Sequence, residues 1–169
     1  PEDERWGFTV ELLLRTWREL ERAVDAGLVR HLGVSNFSAT KLRHLLAPGA
    51  AKHACVCNQI ELHPYLQQST LVRWCQARGV IVTGYSPLGS PARPPTFRSD
   101  ADPPELLTHP VIGAIAEKHG RSAAQVLLRW ALQRGTVPLP KSTTPARIAE
   151  NAAVLDFTLT ALDMAAVAT

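Results

Sequence analysis

Two periodicities alternate along this chain of 169 residues. Apolar residues recur at helical spacing between Thr9 and Gly27, with charged residues between them, which predicts an amphipathic helix over residues 9–27. Short runs that are mostly apolar follow at LVRHLGVSN, ACVCNQIEL, VIVTGY and TVPLP. Each run precedes a further segment with helical spacing. The pattern therefore predicts one helix followed by four β-strand–α-helix units.

Capping and breaking residues mark the helices that follow these strands. Ser38 precedes one helix, and Gly79 ends the next. Two helices follow the third strand, HPVIGAIAEKHG and SAAQVLLRWALQRG, and Ser122 precedes the second of them. Pro145 suits the first turn of TPARIAENAAVL. The last piece, LTALDMAAVAT, begins like a helix and has no ending signal. The proline-rich stretch from Gly89 to about Thr108 is long for a loop, which predicts a functional insertion.

The order of these elements indicates the fold class. Strands that are apolar throughout and alternate with helices are typical of a parallel sheet covered by helices. Both a doubly wound sheet and a (β/α)8 barrel have this pattern, but a full barrel needs about 250 residues and eight strands. Since this chain supplies four strands, we expect residues 1–169 to form part of a larger α/β domain.

Composition narrows the classes of function. Hydrophobic residues make up 46% and charged residues 20%, values typical of a globular protein. The formal charge of +3 and the lack of a dense Lys/Arg run speak against a nucleic-acid partner. No apolar stretch approaches about 18 residues, and the first residues lack the layout of a signal peptide. We expect no membrane partner and a cytoplasmic location.

The three cysteines, Cys55, Cys57 and Cys75, do not form a metal or redox motif. Cys55 and Cys57 alternate within an apolar run, and an odd number argues against a framework of disulfides. We expect reduced thiols that are mostly buried, and no metal site.

Polar residues collect just after each predicted strand. Ligands of parallel α/β proteins bind beyond the carboxyl ends of the strands, where helix N-termini present free N–H groups. A lysine followed by small hydroxyl residues at a helix start, as in VPLPKSTTPARIAEN, indicates an anion site. The clusters comprise Ser35 and Asn36, then Asn58, Gln59, Glu61 and His63, then Tyr85 and Ser86, and finally Lys141, Ser142 and Thr144.

Each cluster also has a purely structural interpretation. Ser35 or Asn36 could cap the next helix, and the Gln59 carboxamide could be satisfied by backbone. Tyr85 could pack at a strand end, and Lys141 could be solvated. The helix face that carries Arg147, Glu150 and Asn151 could likewise be exposed to solvent.

Four motifs occur in order: GLVRHLGVSNFS, NQIELHPYLQQ, GYSPLGS and VPLPKSTTPARIAENAAVLDFTL. Together they resemble consecutive motifs of the aldo-keto reductases, over nearly the whole chain from the first helix onward. The resemblance implies a TIM-type (β/α)8 barrel, of which this chain is the last four βα units, strands five to eight, with the preceding helix. Leu139 stands where the family usually has isoleucine, a change that keeps the strand apolar.

The resemblance also implies a cofactor, NADPH, and a role for each matching residue. NADPH is favoured over NADH because a dianionic phosphate beside Lys and Arg at a helix start gains charge-assisted hydrogen bonds. The implied contacts are Ser35, Asn36 and Gln59 with the nicotinamide carboxamide, Tyr85 stacked under the nicotinamide, Ser86, Leu88 and Ser90 around the pyrophosphate, Lys141, Ser142, Thr144 and Arg147 around the 2′-phosphate, and Glu150 and Asn151 with adenine.

The family's catalytic Asp, Tyr, Lys and His lie on its first four strands, so the resemblance assigns no catalytic residue to this sequence. The first hypothesis is an NADPH-dependent reductase of small aldehydes or ketones, a fragment represented by its cofactor-binding half and inactive alone. Hydride would pass from nicotinamide to the carbonyl carbon, and a tyrosine of the absent half would protonate the oxygen.

Two alternatives remain open at this point. The chain could be a non-catalytic nucleotide-binding or interaction module, whose unpaired sheet edges would favour self-association. It could also be a phosphate-binding barrel with another chemistry. Tyr85 and the three residues matched to the carboxamide favour nicotinamide over a sugar phosphate.

Overall fold

A computed structural model describes residues 9–90, 96 and 103–168 of the chain. Most of the predicted proline-rich loop lies outside the described residues. A short 3-10 helix, Leu106–Thr108, forms its described end. The other elements in chain order are α1 Val10–Asp25, β1 Leu32–Ser35, α2 Ala39–Leu45, β2 Cys55–Glu61, α3 Ser69–Gln76, β3 Ile81–Tyr85, α4 Pro110–His119, α5 Ala123–Gln133, β4 Val137–Pro138, α6 Pro145–Ala152 and α7 Ala161–Val167.

The four strands form a parallel sheet in the order β1-β2-β3-β4, which confirms the α/β class. Ser35 on β1 is in register with Gln59 on β2. At the other side of the sheet Gly84 pairs with Pro138, and the Leu139 N–H continues the ladder by donating to Gly84 O at 2.8 Å. Because the pairs are parallel, the carboxyl ends of β1 and β2 are neighbours, and so are those of β3 and β4.

Two strands are shorter than the sequence predicts, for identifiable reasons. Residues that follow α1 complete a Schellman motif, in which the Leu28 N–H donates to Ala23 O at 2.9 Å and Gly27 has a φ of 70°. They therefore end the helix instead of beginning β1. The run TVPLP yields only Val137–Pro138 as a strand, because its two prolines have no N–H to donate to a ladder.

The described residues divide into two compact units. The first comprises residues 9–60 and 70–82, and the second comprises 61–69, 83–90, 96 and 103–168. In the first unit Trp17 of α1 is buried and donates its indole N–H to His53 O at 3.3 Å. Glu21 accepts from the N–H groups of Lys52 and His53 at 2.6 and 3.0 Å. These bonds tie α1 to the segment that leads into β2.

The cysteines all belong to the first unit and carry free thiols, as the sequence predicts. Cys55 and Cys75 are buried, whereas Cys57 is half-buried. Burial raises the pKa of the Cys55 thiol to about 11, and it also raises the pKa of Cys75. A thiol with a raised pKa carries little thiolate at neutral pH and is unreactive.

The core of the second unit is built around α5. This helix packs against α4, α6 and α7, and its residues Val126, Leu127 and Trp130 are almost completely buried. Leu106, Ile112, Leu159 and Val167 complete the same apolar cluster. None of the described helices is long and apolar enough to span a membrane.

Candidate functional site

In the first unit, the ends of β1 and β2 bring three predicted site residues together. The Ser35 hydroxyl donates to Gln59 O at 3.1 Å, and the Asn36 N–H donates to the same oxygen at 2.8 Å. Asn36 has a left-handed φ of 58°, a conformation that is uncommon for a residue other than glycine. Among the described residues the carboxamide of Gln59 makes no hydrogen bond. The amide of Gln59 is thus available for a ligand.

The residue that fixes this turn is not among those with an implied cofactor contact. Asn58 is fully buried; its amide donates to Phe37 O at 2.9 Å and accepts from the Phe37 N–H at 3.3 Å. Ser38 caps α2 by accepting from the Lys41 N–H at 3.3 Å. A cap at Ser38 removes the interpretation of Ser35 and Asn36 as caps of the following helix.

The second unit contains a cavity of about 920 Å³. Tyr85 lies at the end of β3, half-buried, and does not line this cavity. Every other predicted site residue of the second unit lines it, namely Ser86, Leu88, Ser90, Lys141, Ser142, Thr144, Arg147, Glu150 and Asn151. Sequence reasoning missed Leu107 and the start of α5, Ser122 to Ala124, which line the same cavity.

A tight turn after β3 places two hydroxyls side by side at the cavity. Ser86 and Ser90 have left-handed φ values of 51° and 54°, and the Ser90 hydroxyl donates to Ser86 Oγ at 2.8 Å. Gly89 between them has a φ of 77°, and a Cβ there would lie 3.0 Å from Leu106. Non-glycine residues in this region are strained, a cost that proteins tend to retain where a site needs the geometry.

The start of α6 forms the cationic wall of the cavity. Ser142 Oγ accepts from the Thr144 N–H at 3.2 Å, Pro145 occupies the first turn, and no side chain caps the helix. The first N–H groups of α6 thus lack a side-chain partner. Lys141 and Arg147 are exposed beside them, and neither forms an ion pair among the described residues. Free N–H groups, the positive end of the helix dipole and two cations together favour an anion.

The far end of α6 is held by side chains of α5. Gln125 is 7% exposed and donates to Glu150 O at 3.2 Å and to Ala153 O at 2.7 Å. Arg129 donates to Val154 O at 3.1 Å. Sequence reasoning missed both residues. The spacing of Ser122 and Gln125 does predict the capping box that starts α5, but the bonds to α6 depend on tertiary structure.

A parallel α/β sheet with polar strand ends, and a cavity at a helix start lined by cations and hydroxyls, is typical of nucleotide-binding α/β proteins. Residues 4–169 match the Aldo/keto reductase family. The chain belongs to this family. Within the described residues no group of three His, Cys, Asp or Glu side chains could hold a metal ion.

Several relatives with curated names share extensive sequence. An aldo/keto reductase of Synechocystis sp. is 51% identical over 166 residues, which are 98% of this chain and 50% of that protein. Aldo-keto reductase family 1 member A1 of Rattus norvegicus is 50% identical over 149 residues, 88% of this chain and 44% of its own length. Family 1 member D1 of Oryctolagus cuniculus is 43% identical, with coverages of 97% and 50%. The chain thus spans about half the length of the curated relatives it matches.

Proposed function

We propose that this chain is the carboxyl-terminal, cofactor-binding half of an NADPH-dependent aldo-keto reductase of aldehydes or ketones. Residues 1–169 then form one partial domain of the barrel, strands five to eight. The observation that carries the proposal is the cavity of the second unit, which nine residues matched to the family's cofactor contacts line together. Bound NADPH would supply the hydride that reduces a carbonyl carbon.

The anion of the proposed cofactor is its 2′-phosphate, placed at the start of α6. Lys141 and Arg147 supply positive charge there, and Ser142 and Thr144 supply hydroxyls. A dianionic phosphate forms charge-assisted hydrogen bonds with such groups, whereas the 2′-hydroxyl of NADH does not. The same residues therefore support NADPH as the preferred cofactor. Glu150 and Asn151, one turn further along α6, are assigned to adenine, and Ser86, Leu88 and Ser90 to the pyrophosphate.

The nicotinamide end is assigned to the other strand ends. In the first unit, the free amide of Gln59 with Ser35 and Asn36 suits a carboxamide, which needs both a donor and an acceptor. Tyr85 provides the ring for stacking. No residue of this sequence is assigned as the catalytic acid, and we propose that the chain alone does not turn over. The cytoplasmic location also remains a proposal.

A second candidate is a non-catalytic nucleotide-binding module. The observation in its favour is that the cavity is lined entirely by residues of the second unit. Open sheet edges support self-association in either case, because Val137 on the edge strand β4 is 44% exposed. Both candidates require the anion site at α6, so one binding experiment tests what they share.

That experiment uses adenosine 2′,5′-bisphosphate, which carries the proposed 2′-phosphate, and adenosine 5′-monophosphate, which lacks it. Calorimetric titration of the chain should show tighter binding of the bisphosphate. Lys141→Glu should weaken bisphosphate binding at least about tenfold, because a charge-assisted bond contributes about 1.5–3 kcal/mol, and should change monophosphate binding little.

The matched control is Lys41→Glu, which changes the net charge equally at a lysine of α2 that does not line the cavity. It should leave both affinities unchanged. Equal losses of both ligands in Lys141→Glu, or the same loss in Lys41→Glu, would contradict the assignment of the 2′-phosphate.

A further inference from the structure

We infer that Gln125 is a positioning residue for the anion site, although it is not part of the cavity wall. It fixes the orientation of α6 from the end opposite Arg147, and through α6 it sets the preference for a 2′-phosphate. The inference rests on the proposed function, since it concerns the same cavity.

Every hydrogen-bonding group of the Gln125 side chain is used. Its Oε1 accepts from the Ser122 N–H at 3.1 Å, and its Nε2 donates to Glu150 O at 3.2 Å and to Ala153 O at 2.7 Å. Because an amide has two donors and these meet two carbonyls, only one orientation of the side chain satisfies all partners. The buried amide thus links the start of α5 rigidly to the last turn of α6.

Packing alone does not fix α6. None of its eight residues is buried, in contrast to α5, where six are. The last carbonyls of a helix lack partners within the helix. Gln125 donates to Ala153 O and adds a second donor to Glu150 O, which also accepts from the Ala153 N–H at 3.1 Å. Arg129 adds a second anchor just beyond the helix, by donating to Val154 O at 3.1 Å and to Thr158 Oγ1 at 3.0 Å. Hydrogen bonds from α5, together with the buried side chain of Val154 just after the helix, therefore hold α6 in place.

Because α6 is short, movement of its last turn also displaces Arg147 in its first turn. A helix of eight residues is about 12 Å long. If one end of so short a rigid rod is released and the helix tilts, the side chains at its other end change position as well. Arg147 lies in the first turn, and a phosphate contact tolerates little displacement. Loss of the Gln125 bonds should therefore weaken binding of the 2′-phosphate without removing any group that touches it.

Gln125→Glu is the sharpest variant, because the side chain keeps its shape. A carboxylate can still accept from the Ser122 N–H, but it cannot donate to the carbonyls of Glu150 and Ala153. We expect adenosine 2′,5′-bisphosphate to bind about tenfold more weakly, and adenosine 5′-monophosphate to lose much less. The ratio of the two affinities measures positioning, since a general loss of stability lowers both.

Gln133→Glu is the matched control on the same helix. Gln133 also bonds a following segment by its amide, donating to Leu159 O at 3.0 Å and accepting from the Leu159 N–H at 2.7 Å. Leu159 lies further beyond the end of α6 than Val154, the partner of Arg129, so this bond does not hold the last turn of α6. The control should lower the melting temperature and leave the affinity ratio unchanged. An equal fall of the ratio in both variants would overturn the inference, because the effect would then be one of general stability.

Lys141→Gln separates this inference from the proposed function. If Lys141→Gln leaves bisphosphate affinity unchanged, the anion site itself is wrong; if it weakens binding and Gln125→Glu does not, only the positioning role is wrong. Should circular dichroism show that Gln125→Glu is unfolded, Arg129→Gln carries the test. Its expected result is a fall of about threefold in the affinity ratio, and an unchanged ratio overturns the inference.

Discussion

Two helices of the second unit begin in opposite ways. The start of α7 is closed by a capping box, in which the Asp163 N–H donates to Thr160 Oγ1 at 3.2 Å and the Thr160 N–H donates to Asp163 Oδ2 at 3.0 Å. The start of α6 has no side-chain cap. Lys141 and Arg147 line the cavity beside it, and among the described residues neither pairs with a carboxylate, including Glu150 of the same cavity.

The difference lies in where the negative charge comes from. At α7 the protein supplies it, since the Asp163 carboxylate is 7% exposed and lies 2.8 Å from Lys118 and 2.9 Å from His119. At α6 no side chain supplies a negative charge to the positive end of the helix dipole. The start of α7 therefore contains its own anion, whereas the start of α6 leaves that place open.

Removing the built-in anion should produce the largest effect on stability. Asp163→Asn takes away the charge that Lys118 and His119 share and weakens the capping box. We expect the free energy of unfolding to fall by about 1–2 kcal/mol at pH 7, as for the loss of a helix cap. Thermal or urea unfolding measures this fall, and binding at α6 should change little.

The pH dependence follows from the same carboxylate. The hydrogen bonds from Lys118, with those from His119 and Thr160, hold the pKa of Asp163 well below its ordinary value. A depressed pKa in the folded state stabilises the fold above the ordinary value of about 3.9, and this stability is lost as the pH falls below it. Wild type and Asp163→Asn should therefore converge in stability under acid conditions.

Asp156→Asn is the control for this comparison. Asp156 also pairs with a cation, Arg121 at 2.7 Å, but its side chain is 62% exposed. Exposed pairs contribute little to stability, so this variant should unfold nearly as the wild type does. A similar loss in both variants would show that the capping position of Asp163 has no special importance.

Adding a carboxylate at the start of α6 should change stability less than Asp163→Asn does. It should stabilise the fold and weaken ligand binding. Thr144 is the residue before α6 and its side chain does not cap it. Thr144→Asp supplies the missing carboxylate at this position, which should stabilise the chain by about 0.5–1 kcal/mol. The same negative charge should weaken binding of adenosine 2′,5′-bisphosphate severalfold. Unfolding and titration of one variant measure the two effects.

Thr143→Asp distinguishes the two causes. Thr143 also lines the cavity, so an aspartate there should repel the bisphosphate, but it lies one residue too early to cap α6. We expect weaker binding without added stability. If Thr144→Asp raises neither the melting temperature nor the dissociation constant, the start of α6 is not an open anion site.

The sequence predicts the local elements well where the deciding signal is local. Thr9, Ser38 and Ser122 cap helices as their positions suggest, because a cap involves only residues three apart. The strands are less well bounded. Whether the residues after Gly27 end a helix or begin a strand depends on hydrogen bonds that periodicity does not reveal.

The same distinction between local and long-range signals applies to the predicted site. Lys141 and Arg147 could be placed beside a helix start from the sequence, because both belong to one strand–helix junction. The roles of Gln125 and Asn58 could not, since each bonds the backbone of a segment distant in the chain. A buried amide is recognised as a positioning group only when its partners are known.

Ionic strength should produce the smallest effect and the finest test of the contrast between the two helix starts. Lys141 and Arg147 are exposed, and salt screens exposed charges over a Debye length that shrinks from about 30 Å at 0.01 M to about 10 Å at 0.1 M. Over this range the preference for bisphosphate over monophosphate should fall about threefold, as titration can measure. The buried carboxylate of Asp163 is screened less, so the stability difference between wild type and Asp163→Asn should stay nearly constant. If both quantities fell together, α6 and α7 would not differ in their exposure to solvent ions, and an open start would not distinguish the one from the other.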